Sequence, residues 1–498
     1  MRIKAIVADI AQVEVDAIVV NLFEETEQVG GATAVVDARL DGAISSMVRR
    51  HEIKGKFGEV GIVHTLGRLP AGIVAIAGLG KREQFDLDRV RGVAGEFCRA
   101  LRKLGCRRIA TVLHGAGAGG SDAADSAGAI AEGSLLGLYE FTRYRDSEYS
   151  EMDELLIVER DQERVHALMG SIDRAQVVAQ AAVLARDMVN EPANVMTPSR
   201  MAEIAEDVGR RHGLKVQVLG VQEMERMGMG ALLGVASGSA QQPRFISMEY
   251  RGDGGSTTPV VGFLGKGVTF DSGGISIKPS EGLGEMKDDM AGGAAVIAAL
   301  GAIAQLETKI NVTGIVPATE NLPSGSALKP GDIVKALNGK TIEIVSTDAE
   351  GRLILADALS YAVKQKLSPL VDLATLTGAC RVALGTLYSG VFGNDKGLVD
   401  RVLAAGERVG ERVWRMPMPE EYREMNKSQI ADVKNTGNRY GGAITAALFL
   451  SEFVDDAPWA HIDIAGTANS SKETGYTVKG ATGVGVRTLV ELAGGLVP

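Results

Sequence analysis

Short apolar runs alternate with longer runs of helical periodicity along nearly the whole chain, and no other feature limits the possible folds as strongly. In the first third, "DAIVVNLF", "EVGIVHTL", "GIVAIAGLG" and "RRIATVLH" read as strands, with helices over "GAISSMVRRH" and "VRGVAGEFCRALRKLG". Further on, "KVQVLG", "RFISMEYRG", "PVVGFLGKGVTF", "INVTGIVPA", "LVDLATLTG" and "WAHIDIAG" are strand-like, separated by helical runs such as "GGAAVIAALGAIAQL" and "LILADALSYAVKQ". Such alternation predicts open sheets covered by helices. The 63 glycines and 14 prolines, scattered without a period, suit the tight turns between strands and helices.

A chain of 498 residues is long enough for more than one domain. The most polar stretch, "TRYRDSEYSEMDELLIVERDQERVHAL", reads as a domain edge, with "ELLIVE" as a last strand. The expected architecture is α/β with two domains, each a mixed or mainly parallel sheet flanked by helices. Residues 1–165 form the first. Residues 171–498 would form the larger one, in which Pro198 and Ser199 open a new helix.

The formal net charge of −10 disfavours binding to nucleic acid or anionic membranes through a basic surface. Three cysteines without CxxC spacing imply neither a disulfide framework nor a thiolate knuckle. The N-terminus has no signal-peptide core, and no run reaches the roughly 18 apolar residues of a membrane span. A cytoplasmic protein is expected.

Two glycine-rich turns carry little information. Gly115, Gly117 and Gly120 fit GxGxxG, but no acidic residue ending a second strand follows at dinucleotide-site spacing, so a close-packed turn is the better reading. "GFLGKG" lacks the spacing and trailing hydroxyl of a P-loop.

The informative constellation of charged residues spans Lys266 to Arg352. In "GKGVTFDSGGISIKPS", Asp271 closes a strand between Lys266 and Lys278; in "EMKDDMAGGAAV", Asp288 and Asp289 stand at a helix mouth, one available to cap it and the other to project into a site. In "STDAEGRL", Asp348, Glu350 and Arg352 would share one face of an extended chain. An ion pair with Arg352 accounts for only two of those three charges. Buried, unpaired carboxylates would cost several kcal/mol or take up protons. Divalent cations shared by the carboxylates would hold the two acids together. The six histidines form no HExxH arrangement, so carboxylates must carry any metal.

These segments, with "DLATLTGAC", "VNEPANVMTP", "WAHIDIAGTA" and "GATGVGVRTL", resemble in order and spacing the leucyl (cytosol) aminopeptidases. The resemblance covers Asp187 to Leu489; the N-terminal third matches in layout only. It implies a hydrolase that releases N-terminal residues, preferably leucine or other large apolar ones, from peptides through a metal-bridging water. Two divalent ions per subunit, manganese with zinc as the alternative, would be held by Lys266, Asp271, Asp289, Asp348 and Glu350. Lys278 would stabilise the oxyanion, and Arg352 would hold a bicarbonate ion as general base. The substrate's free α-amine would bind a metal, confining cleavage to the first peptide bond. Met286, Ser346, Thr375 and Gly378 would line the side-chain pocket, with Ser346 standing where the family commonly has Asn. The family also implies a homohexamer, with the N-terminal domain supplying contacts. Two other readings keep parts of this pattern: a two-metal phosphoester hydrolase, and a DNA-binding regulator using a local patch of Arg49, Arg50, Arg107, Arg108, Arg210 and Arg211.

Overall fold

The structure is a computed structural model that describes residues 1–115, 120, 122–254 and 259–497. It divides into one unit of Met1–Gln180 with Ser471–Lys479, and a second of Ala181–Ser470 with the remaining C-terminal residues. Both are α/β, as expected. Among the described residues no helix is long and apolar enough to cross a membrane.

In the first unit six strands form one sheet in the order Arg2–Val7, Glu154–Glu159, Arg108–Val112, Ala17–Phe23, Ile73–Gly80, Val60–His64. All neighbours are parallel except the last pair. The "ELLIVE" strand therefore lies inside this sheet, between the N-terminal strand and Arg108–Val112. Its four central residues are buried, as a strand covered on both faces requires. Of the glycine-rich turn, Gly117 lies outside the described residues; Gly115 has φ 81° and packs against Phe85.

In the second unit the sheet centres on parallel strands: Trp459–Asp463, Leu370–Ala374, Val261–Gly265 and Asn311–Asn321. Gly267–Asp271 also runs parallel to Asn311–Asn321, and antiparallel strands flank the set. Helix Ala291–Gln305, apolar all round, is buried from Ala291 to Ala304. It can start directly behind the sheet because Gly265 and Gly292 lack side chains: a Cβ on Gly292 would lie 2.1 Å from the Leu373 carbonyl oxygen. Helix Pro198–His212 begins as read from sequence, with the Thr197 hydroxyl accepting the Arg200 N–H and proline in the first turn.

This topology collects side chains at one edge. Lys266 follows Val261–Gly265, Asp271 ends its strand, Asn321 ends Asn311–Asn321, Thr375 follows Leu370–Ala374, and Asp463 ends Trp459–Asp463. All five lie at the carboxyl ends of parallel strands, where open α/β sheets bind ligands.

Candidate metal centre

Two lysines and four acids interlock at this edge. Lys266 Nζ lies 2.7 Å from Asp289 Oδ1 and 2.8 Å from Glu350 Oε1, and donates to the Thr375 carbonyl at 3.0 Å. Lys278 Nζ pairs with Asp271 Oδ2 at 2.8 Å and also with Asp348. Carboxylate oxygens of Asp271, Asp348 and Glu350 all lie within 4.8 Å of one another. Lys266, Asp271, Asp289 and Glu350 are buried, while Asp348 is exposed and Lys278 half-buried, so the cluster opens to solvent on that side.

Local structure differs from the extended face expected of "STDAEGRL". Asp348 sits in a turn and Glu350 is the first residue of helix Glu350–Lys364. On a helix, residues two apart point to different sides. Glu350 accordingly reaches Lys266, while Arg352 Nη1 donates to the Asn435 carbonyl at 2.8 Å, so Arg352 is not the acids' neutralising partner. Nor does either aspartate cap the helix behind the site. Met290 is its N-cap and makes no side-chain cap bond. Asp289 turns into the cluster, and Asp288 accepts from Asn469 Nδ2 at 3.4 Å.

Charge does not balance here: four carboxylates face two ammonium groups, a formal excess of two negative charges. Burial, with the neighbouring Glu350 charge, pushes Asp271 up to about 6. Asp289 and Asp348 are likewise raised, first by burial. For Lys266 burial acts downward, but Asp289, Glu350 and Asp271 outweigh it and hold the ammonium form. Glu350 is lowered despite its burial, because Lys266 and Lys278 flank it. Asp289 Oδ2 and Glu350 Oε2 are buried acceptors without hydrogen-bond partners. Excess negative charge and unpartnered carboxylate oxygens in one buried cluster suit a divalent, oxygen-seeking cation.

Arg352 is buried and lowered to about 10 by that burial, and its Nε has no partner. A guanidinium with an unmatched donor suits a small planar anion.

Several supporting residues were not singled out from the sequence. Asn321 Nδ2 donates to Asp271 Oδ1 at 2.8 Å and to the Thr347 carbonyl at 2.9 Å, which leaves Asp271 Oδ2 facing Lys278. Thr347 ties two loops, its hydroxyl donating to the Gly273 carbonyl and accepting the Ser276 N–H. Asp463 accepts from the Thr377 hydroxyl at 2.6 Å and from the Leu376 N–H, fixing the turn that carries Thr375. Asn321 and Asp463 could have been suspected as polar ends of apolar strands. Asn435, in the irregular "KNTGN", could not.

The expected pocket residues are spread over three loops. Met286 lies half-buried in the 3-10 turn Leu283–Asp288, and Gly378 opens helix Gly378–Leu384 with open space where a Cβ would be. Thr375 acts on the cluster itself, its hydroxyl donating to Asp289 Oδ1 at 2.7 Å. The Ser346 hydroxyl accepts the Asp348 N–H at 3.3 Å.

Residues 183–490 match the model of the cytosol aminopeptidase family's catalytic domain, and residues 19–148 that of its N-terminal domain. The chain is 46% identical, over a 500-residue alignment covering 99% of both chains, to a probable cytosol aminopeptidase of Alkaliphilus metalliredigens. Against the probable cytosol aminopeptidase of Geobacter sulfurreducens the identity is 47% at the same coverage. Among solved structures, a mutant of tomato leucine aminopeptidase superposes with TM-score 0.88 at 35% identity, over 99% of this chain and 96% of that one. The bottromycin maturation enzyme BotP in complex with Mn gives 0.86 at 35%, over 97% and 100%.

Proposed function

The chain belongs to the cytosol aminopeptidase family and is a metal-dependent aminopeptidase, and we propose that it takes leucine and other large apolar residues from peptide N-termini using two divalent cations. The observation that carries this reading is the convergence of four carboxylates on two ammonium groups, with Asp289 Oδ2 and Glu350 Oε2 left unpaired. Lys266, Asp271, Asp289, Asp348 and Glu350 would hold the ions, and manganese is the proposed metal. Bound there, the cations would supply Lewis acidity toward the scissile carbonyl and acidify water.

Other steps fall to the protein. Lys278, held protonated chiefly by Asp271 against the opposing effect of burial, lies on the open side of the cluster. It offers N–H donors to the carbonyl oxygen as that atom gains negative charge. Arg352 would hold bicarbonate in its fork, and that anion would supply a general base beside the cluster. As an ammonium group Lys266 cannot act as a ligand, so it would have to give up that proton to solvent to hold a cation. Met286, Ser346, Thr375 and Gly378 shape the pocket for the first side chain. We place the enzyme in the cytoplasm as a homohexamer, with residues 1–165 contributing to assembly.

With manganese added, the purified protein should cleave an unblocked leucyl amide and leave its N-acetylated form intact. Equal turnover of both would remove the requirement for a free amine and with it this reading.

A further inference from the structure

Asn435 is fully buried and lies 83 positions beyond Arg352 in sequence. It follows the short strand Val433–Lys434, which pairs in parallel with Thr341–Glu343, and its own N–H donates to the Glu343 carbonyl at 2.9 Å. That pairing sets Asn435 beside the turn that leads into helix Glu350–Lys364. Its side-chain Oδ1 accepts from the Val345 N–H at 2.8 Å and the Ser346 N–H at 3.4 Å. Its Nδ2 donates to the Ser346 carbonyl at 2.6 Å and the Ala349 carbonyl at 3.5 Å. Its main-chain carbonyl takes the Arg352 Nη1 at 2.8 Å.

One residue therefore grips the loop bearing Asp348 with its side chain and the Arg352 guanidinium with its backbone. Arg352 Nε is left without a partner. We propose that Asn435 is a positioning residue for the reaction: it sets the Arg352 fork at a fixed place relative to Asp348 and Glu350, aiming its remaining donors at the anion it holds. This rests on the reading of Arg352 as the anion holder. Both amide ends are needed. The carboxylate introduced by Asn435→Asp would turn an acceptor toward the Ser346 carbonyl, and the side chain introduced by Asn435→Ser is too short to span both loop contacts.

The test uses full-length, manganese-loaded protein carrying Asn435→Asp, Asn435→Ser, Arg352→Ala, or Arg352→Ala with Asn435→Asp. Expected are wild-type metal content per subunit and little change in KM. The fall in kcat should be about 10- to 100-fold, the usual effect of losing an outer-shell partner. Weaker broadening of the 13C-bicarbonate resonance should accompany it. The double variant should be no slower than Arg352→Ala alone.

Full activity of Arg352→Ala would overturn the reading of Arg352 and this inference with it. If Arg352→Ala is impaired but Asn435→Asp slows it by the full single-variant factor, only the inference on Asn435 fails. Metal loss in proportion to activity would make Asn435 a support of the metal ligands instead, and failure of both Asn435 variants to fold would make it a folding residue. Either result overturns the proposal.

Discussion

Gly351 and Lys266 are packed so closely that a Cβ on Gly351 would lie 2.5 Å from Lys266 Cε and 2.7 Å from its Nζ. The lysine crosses the first turn of the helix that Glu350 opens, and only a residue without a side chain lets it reach Glu350 and Asp289 together.

Replacing Gly351 by alanine should therefore separate fold from site. Within a helix alanine is favoured over glycine by about 1 kcal/mol, so the backbone itself has no objection. Crowding should instead expel the lysine and cut manganese occupancy and kcat at least about tenfold, with the circular dichroism spectrum unchanged. Wild-type occupancy in Gly351→Ala would show that Lys266 is not held where these distances place it.

Because the cluster carries excess negative charge, cations should stabilise the fold. Manganese at a hundred times its dissociation constant should add about 2.7 kcal/mol, read as a rise in melting temperature that a chelator reverses. In Glu350→Ala that rise should shrink and activity should disappear. Retained activity without Glu350 would refute the proposed ligand set.

Asn321 orients Asp271, so Asn321→Ala should weaken metal binding by about 10- to 100-fold while leaving the pocket side chains in place. Titrating the chelated protein with manganese would measure this. An unchanged midpoint would mean that the Gly273 N–H, which also donates to Asp271 Oδ1 at 2.9 Å, is sufficient.

Asp357, fully buried on helix Glu350–Lys364, accepts the Leu337 N–H at 2.7 Å and the Leu232 N–H at 2.8 Å. The second bond caps helix Gly230–Ala236, whose own N-cap residue, Met229, offers no side-chain acceptor. Burial pushes this carboxyl up to about 7, opposed by those amide donors. Unfolded, it would titrate near 3.9 (approximately the free-residue value). The folded state thus binds the extra proton between these values. Its stabilising contribution is complete below about pH 4 and is lost as the pH rises through about 7. Asp357→Asn should flatten that part of the urea-midpoint profile between pH 5 and 8. It should also lower stability at pH 5 by about 1–3 kcal/mol, because its amide turns a donor toward one of the two N–H groups. An identical profile in both proteins would contradict this assignment.

Strand and helix periodicities were legible from sequence because they are local. Each apolar run needs only its own spacing to declare which faces are buried. The acids that gather in the cluster were legible as candidates too, since six histidines without metal spacing pointed to the carboxylates between Lys266 and Arg352. The shape of "STDAEGRL" was not. Every-second-residue spacing fits a strand, yet the helix starts at Glu350, and that sends Glu350 and Arg352 to different partners.

What the chain determined by itself was its class, its punctuation and the kinds of side chain at strand ends. Only the tertiary structure decided which charge meets which: Lys266 with Asp289 and Glu350, Lys278 with Asp271 and Asp348, and Asn435 with the loop behind them. Those pairings depend on the order of strands in the sheet. Strand order is set by packing between segments far apart in sequence, and periodicity within one segment carries no record of it.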